Sequence, residues 1–337
     1  MLIGVKIDTV LLADPAHAAD QARSLAELGF DGVFTFEGIG DVFVPLTLAA
    51  AATDLTVYSN VAIAFPRSPM HVAYTAWDLQ KLSGGRFMLG LGTQVKANIE
   101  RRFSAQWEHP VERMTEFVAA TKAIFAAWQD GERLDFRGDF YTFTLMQPTF
   151  NPGPNPFGPP PILVGALGPR LTRAVAAHAD GLLLHPFMSE RFLRDQTLPQ
   201  VDRGLDSAGR TRDDFSIVAT TIVCTGRNED EMATAVAGTR GLLAFYGSTP
   251  AYRPVLDAHG WGDLQPELNT LSKQGRWDEM AGLVDDEILA TLAVWAEPAA
   301  IAPEIMRRFG DVAERVGFYL PYLIDPGAIA EVRAGFG

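Results

Sequence analysis

The sequence predicts a (β/α)8 barrel, a closed ring of parallel strands inside a ring of helices, and three observations carry that prediction. Short β-branched or aromatic runs alternate with longer alanine-rich amphipathic segments, the pattern of parallel strands joined by helical crossovers. Eight such runs can be counted, and several of the segments between them open on a proline, which suits the first turn of a helix. The length of 337 residues holds a barrel of ~250 residues with chain to spare for excursions. Eight strands each followed by a helix make a barrel more economical than a doubly wound sheet.

Taken in order, strands are predicted over residues 2–8, 31–36, 56–62, 87–91, 161–164, 181–185, 215–224 and 316–321. Between them lie predicted helices such as 15–28, 69–82, 110–128, 169–178 and 229–245. After residues 69–82 comes Ser83 to Arg86, where Gly84 and Gly85 suit the end of a helix and Arg86 can bond its last carbonyls.

Two stretches break the rhythm. Residues 133–160 contain GDFYTFTLMQPTF and then NPGPNPFGPPP, whose prolines and glycines exclude a helix and predict a β excursion with a rigid loop. Residues 246–285 contain FYGSTPAYRPVLDAHGWGDL and GRWDEM, dense in aromatics and turn residues, and read as a long loop of the kind that covers a site. Trp261 and Trp277 are too apolar to stand exposed together. The segment is therefore expected to cover the barrel mouth, to join two copies in a homodimer, or to pack on the barrel wall. With no internal repeat, low-complexity tract or linker, 1–337 is expected to form one domain with these two insertions.

Composition narrows the partners. The chain has 28 basic and 41 acidic residues, a net charge of -13, which argues against nucleic acid and against an anionic membrane surface. Any anionic ligand must be held locally. The one cysteine, Cys224, lies in an apolar run and cannot form an internal disulfide. The apolar N-terminus carries Lys6 and Asp8 and reads as a strand, not a leader, so a cytoplasmic protein is expected.

In a parallel barrel the ligand meets the C-terminal ends of the strands. The residues there are Asp8, Glu37, Asn60 to Ala62, Gly90 to Gln94, Val164 to Gly168, His185 and Thr225. The Gly-Leu-Gly-Thr of LQKLSGGRFMLGLGTQ reads either as a backbone that passes close to a ligand or as an ordinary strand-to-loop junction. VGALGPR, with Gly165 and Gly168 before a proline-started helix, reads equally as a phosphate seat at a helix N-terminus or as a plain βα turn. Of six histidines, only His185 is placed at this face. No pair has zinc-type spacing, no Gly-x-Ser-x-Gly elbow occurs and no nucleoside-triphosphate loop occurs, so no metal is expected and hydrolase and kinase chemistries lose support.

SNVAIAFPRSPMHVAYTAWDLQKLSGGRFMLGLGTQ, with DGVFTFEG before it and VGALGPRLTRAVAAHADGLLLHPF after it, resembles the bacterial luciferase-like superfamily. More narrowly, the chain is similar over nearly its whole length to oxidoreductases that use the deazaflavin coenzyme F420. The resemblance implies a luciferase-like barrel with the flavin or deazaflavin across the strand ends. It also implies a bulge with a non-prolyl cis peptide at Asn60-Val61, with Ala62 following. Gly92, Thr93 and Gln94 would then lie beside the cofactor, and the turn of Ala166, Leu167, Gly168 and Pro169 would hold its phosphate.

Two departures stand out. Where several members carry a carboxylate after the Gly-Thr, this chain has Gln94-Val95, and Met114 stands where flavin-using relatives carry a tyrosine. Glu37 and His185 remain as catalytic candidates to manage a proton. The expected activity is hydride transfer between coenzyme F420 and a small organic molecule. The alternatives are an FMN-dependent monooxygenase and a non-catalytic flavin-binding protein. Lys96, Arg101, Arg102, Arg170 and Arg173 are expected to meet the anionic tail that distinguishes the deazaflavin from FMN.

Overall fold

The computed structural model describes residues 4–12 and 14–337. Eight parallel strands close into a barrel: β1 (Lys6–Val10), β2 (Gly32–Thr35), β3 (Thr56–Ser59), β4 (Phe87–Gly92), β5 (Ile162–Ala166), β6 (Gly181–Leu184), β7 (Ser216–Cys224) and β8 (Arg315–Tyr319). Each pairs with the next, and β8 returns to β1 with Lys6 opposite Arg315 and Thr9 opposite Phe318. Around them run α1 (Ala18–Glu27), α2 (Phe43–Ala52), α3 (Pro69–Leu82), α4 (Pro110–Gln129), α5 (Pro169–His178), α6 (Leu198–Ser207), α7 (Glu229–Gly247) and α8 (Pro298–Phe309).

The helix boundaries follow from local chemistry. Prolines open α3, α4, α5 and α8 where no amide is needed, and the Ser68 hydroxyl caps α3 by accepting from Met70 N. At the end of α3, Gly84 and Gly85 take φ of +65° and +88°, and Arg86 donates to the carbonyls of Ser83 and Thr53. That turn is built for structure.

Alternation along the strands sorts the side chains. Val10, Phe34, Tyr58, Leu163, Leu183 and Val218 fill the barrel axis, while their neighbours face the helices. Asp8 is not at the strand end expected for it. It lies mid-β1, fully buried at the N-terminal side of the barrel, where Arg315 grips it with two bonds of 2.8 and 2.7 Å and Tyr58 donates a third of 3.0 Å. The strand runs on to Val10, so the expected end fell two residues short. Leu2 and Ile3 of that expected strand lie outside the described residues.

The excursions come out differently. Residues 133–160 do contain a β hairpin, Phe136–Arg137 against Thr142–Phe143. The expected long loop of 246–285 is instead mostly helical: α7 reaches Gly247, and Pro250–Tyr252, Arg253–Asp257, Leu264–Lys273 and Trp277–Gly282 follow. Pro250 and Pro254 stand at first turns, where proline starts a helix and does not break one. Trp261 stacks on His259 at 4.6 Å, while Trp277 is 53% exposed, so the two tryptophans do not share a cover. A short strand that the sequence reading missed, Ala293–Trp295, pairs in parallel with Ile222–Cys224 of β7.

Candidate functional site

The mouth is built first by a break in β3. Pairing stops at Ser59 and resumes at Ala62–Ile63, which lies against Leu91 and Gly92. Between them the Asn60-Val61 peptide is cis, as expected. Asn60 Nδ2 donates to Thr220 Oγ1 at 2.7 Å, joining β3 to β7 on the opposite wall. The Val61 side chain lies over two glycines: a Cβ on Gly92 would stand 2.3 Å from Val61 Cγ2, and one on Gly165 would stand 3.1 Å from Cγ1. The glycine of Gly-Leu-Gly-Thr therefore makes room for Val61 and meets the site through that side chain.

Glu37 stands behind this bulge. Its Oε2 accepts from Ile63 N at 2.8 Å and from Arg67 Nη1 at 2.6 Å, and its side chain is 8% exposed. Arg67 also donates to Ile63 O at 2.9 Å. The carboxylate is thus committed to the chain just after Ala62, and Arg67 is a partner that the sequence did not reveal. Beyond β4, Gln94 takes φ of +59° and folds its Oε1 back to accept from Val95 N at 3.0 Å, while the Thr93 hydroxyl donates to Gln94 O.

Ala166 pairs opposite Leu184 and carries the chain through Leu167 to the start of α5. There Gly168 is the N-cap and Pro169 the first helical residue, and no side chain caps the first turn. A Cβ on Gly168 would meet nothing within 4 Å, and the first amides of α5 have no side-chain acceptor. The cations expected to hold an anionic tail are largely engaged: Arg170 pairs with Glu112 at 2.6 Å, Lys96 with Glu100 at 3.7 Å, Arg173 with Gln200 at 2.7 Å, and Arg102 with Gly38 O.

His185 continues the inward row of Leu183 and ends at the mouth. Its ring lies 4.3 Å from that of Tyr252 and 5.0 Å from that of Tyr246. Phe187 N–H donates to His185 Nδ1 at 3.0 Å, so the ring is neutral with its proton on Nε2. Burial pushes the imidazole down to about 3, and it pushes the Tyr252 phenol up to about 12. The same alternation carries Phe34 to Phe36, Tyr58 to Asn60, Val218 to Thr220 and Gly317 to Tyr319. None of these mouth positions is charged.

A pH dependence follows. The unfolded histidine titrates near 6.5 and the folded one near 3, so between these values the unfolded chain holds the extra proton. The stability of the folded chain is complete above 6.5 and falls as pH drops through that window. Urea unfolding at pH 8 and pH 5 is expected to show His185→Gln losing about 2 kcal/mol less than the parent. Equal losses in both proteins would show that the ring charges freely in the folded state.

The expected residues thus gather on β3 to β6, with Val61, Gly92 and Gly165 in contact, Ala166 beside Leu184, and Glu37 tucked behind. Thr220, Tyr246, Tyr252 and Tyr319 were missed; for Thr220 and Tyr319 the period of two along their strands was the available signal. A hollow of about 230 Å³ between the ends of β7 and β8 lies apart from this cluster. Asp230, Glu231 and Asp325 line it, which suits no phosphate.

Comparison with known proteins adds the family context. Residues 3–314 match the family described as luciferase-like monooxygenase. An uncharacterized protein of Mycobacterium tuberculosis is 48% identical over 313 residues, covering 93% of this chain and 92% of that protein. A 5,10-methylenetetrahydromethanopterin reductase of Archaeoglobus fulgidus is 27% identical over 293 residues, covering 83% of each chain. In fold, the chain is similar to the coenzyme F420 dependent tetrahydromethanopterin reductase of Methanopyrus kandleri, with a TM-score of 0.81 at 18% identity, covering 99% of this chain and 98% of that one.

Proposed function

The chain belongs to the luciferase-like monooxygenase family, and from that premise we propose that it is an oxidoreductase moving a hydride between the deazaflavin coenzyme F420 and a small organic substrate. The observation that supports this reading is the uncapped start of α5 close to the Asn60 to Ala62 bulge, linked to it by Val61 against Gly165, an arrangement that suits a phosphate next to an uncharged wall. The name of a Mycobacterium tuberculosis relative, "putative coenzyme F420-dependent oxidoreductase", 27% identical over 308 residues, supports the choice of cofactor.

When bound, the deazaflavin supplies a two-electron hydride centre. The chain's own residues do the rest. The amides of Arg170 and Leu171, with room left by Gly168 and Pro169, take the phosphate, and Ala166 and Leu167 lead into that turn. Asn60, Val61 and Ala62 back the ring, and Gly92, Thr93 and Gln94 edge it. Glu37 is a positioning residue that braces the bulge through Ile63 and Arg67. His185 is the titratable candidate that faces the substrate side. We further propose a cytoplasmic homodimer; among the described residues no helix is long and apolar enough to cross a membrane.

The second reading, an FMN-dependent monooxygenase, is favoured by the description of the family itself. A flavin-binding protein without turnover would share the same pocket. Titration of the purified protein with coenzyme F420 and with FMN, at low and moderate salt, separates the first two. F420 is expected to bind, and more weakly as salt rises, because its tail must compete for the exposed pairs of Arg170 and Lys96. Tight FMN binding with no F420 binding would overturn the proposal.

A further inference from the structure

We propose that the barrel mouth selects an uncharged ligand with an aromatic or aliphatic body and a single acceptor oxygen, and that the Nε2–H of His185 donates to that oxygen. The inference rests on the reading above only in taking this ligand to be the substrate. Three observations lead to it.

The first is the charge of the mouth. A protein with 28 basic and 41 acidic residues places Phe36, Asn60, His185, Thr220 and Tyr319 at its inward rim, none of them charged. Two cations on this side of the barrel are already bonded: Arg67 to Glu37, and Arg102 to the carbonyl of Gly38. A carboxylate or phosphate entering here would lose its water with nothing to replace it.

The second is the fixed state of His185. Because Phe187 N–H occupies Nδ1, the proton sits on Nε2, which has no partner among the described residues. Packing against Tyr252 and Tyr246 holds the ring in place. A preset neutral donor recognises a carbonyl or hydroxyl oxygen without needing a counter-charge.

The third is the apolar surface around that donor. Phe36 is 40% exposed and meets Tyr319 edge-on at 5.7 Å, and the rings of Tyr246 and Tyr252 pack beside His185. Such surfaces take up a hydrophobic body.

The test uses two probes with the same ring, acetophenone and benzoate. Titration calorimetry, with the His185 Nε2 shift followed by NMR, gives the readout on the whole protein with and without F420. Acetophenone is expected to bind and to move the Nε2 signal, with benzoate weaker by about tenfold or more. His185→Phe, which keeps an aromatic ring in the stack, is expected to weaken acetophenone by about tenfold and to leave F420 affinity unchanged. Benzoate binding as tightly as acetophenone, or an unmoved Nε2 signal on acetophenone binding, would overturn the inference. F420 binding is measured separately, so its absence would sink the cofactor reading and leave the selectivity of the mouth standing or falling on the two probes.

Discussion

Replacing Arg315 by methionine is expected to cost about 3–5 kcal/mol of folding stability, the largest loss expected from a single change in the barrel. The reason is what remains behind. Asp8 is fully buried, and two of its bonds come from Arg315 and only one from Tyr58. Burial pushes its carboxyl upward, and the guanidinium opposes that push. Without the guanidinium, a charge is left in the barrel axis with a single phenol for company. Removing both charges, Asp8→Asn with Arg315→Met, is expected to recover a large part of the loss, because the cost lies in the unpaired ion more than in the missing pair. Urea unfolding of the two single variants and the double variant checks this. A double variant as unstable as the sum of the singles would show that the pair acts only through packing.

Gly92→Ala is expected to weaken cofactor binding by about tenfold or more while the chain still folds. The added methyl would stand 2.3 Å from Val61 Cγ2, so Val61 must move, and it is the residue proposed to back the ring. Adding Val61→Ala removes the obstructing methyls and is expected to restore part of the affinity, since the two changes meet at one contact. Fluorescence titration with F420 reads the effect, and circular dichroism confirms the fold. Unchanged affinity in Gly92→Ala would show that the bulge is not a wall of the cofactor site.

Much of this architecture was legible in the sequence because strands and helices have different periods. The β7 prediction over 215–224 lies within one residue of the observed strand, and α3 and α5 have their predicted bounds. The bulge was reached only through family resemblance, since nothing in the residues around Asn60 demands it. What escaped detection was long-range or short. The grip of Arg67 on Glu37 joins residues 30 positions apart and occupies the carboxylate that the sequence offered as a catalytic candidate. The contact between Asn60 and Thr220 spans 160 positions. Ala293–Trp295 is three residues inside an alanine-rich run, too brief to show alternation. The helices after Gly247 were read as loop because the segment is dense in aromatics and turn residues, although Pro250 and Pro254 stand where helices begin.

That short strand has an evolutionary consequence. The helical excursion leaves the barrel at the end of α7, which rises from β7, and returns by pairing with the last residues of the same β7. Both of its ends are moored to one strand, so length added at its exposed turns costs little more than loop-closure entropy, about 0.6 kcal/mol for each doubling, provided that core residues such as Val255, Leu268 and Met280 keep their places. The excursion is thus an exchangeable cassette: grafts from relatives can be tried between Gly247 and Ala293 without re-registering the barrel. Divergence in what the mouth accepts has an inexpensive place to accumulate.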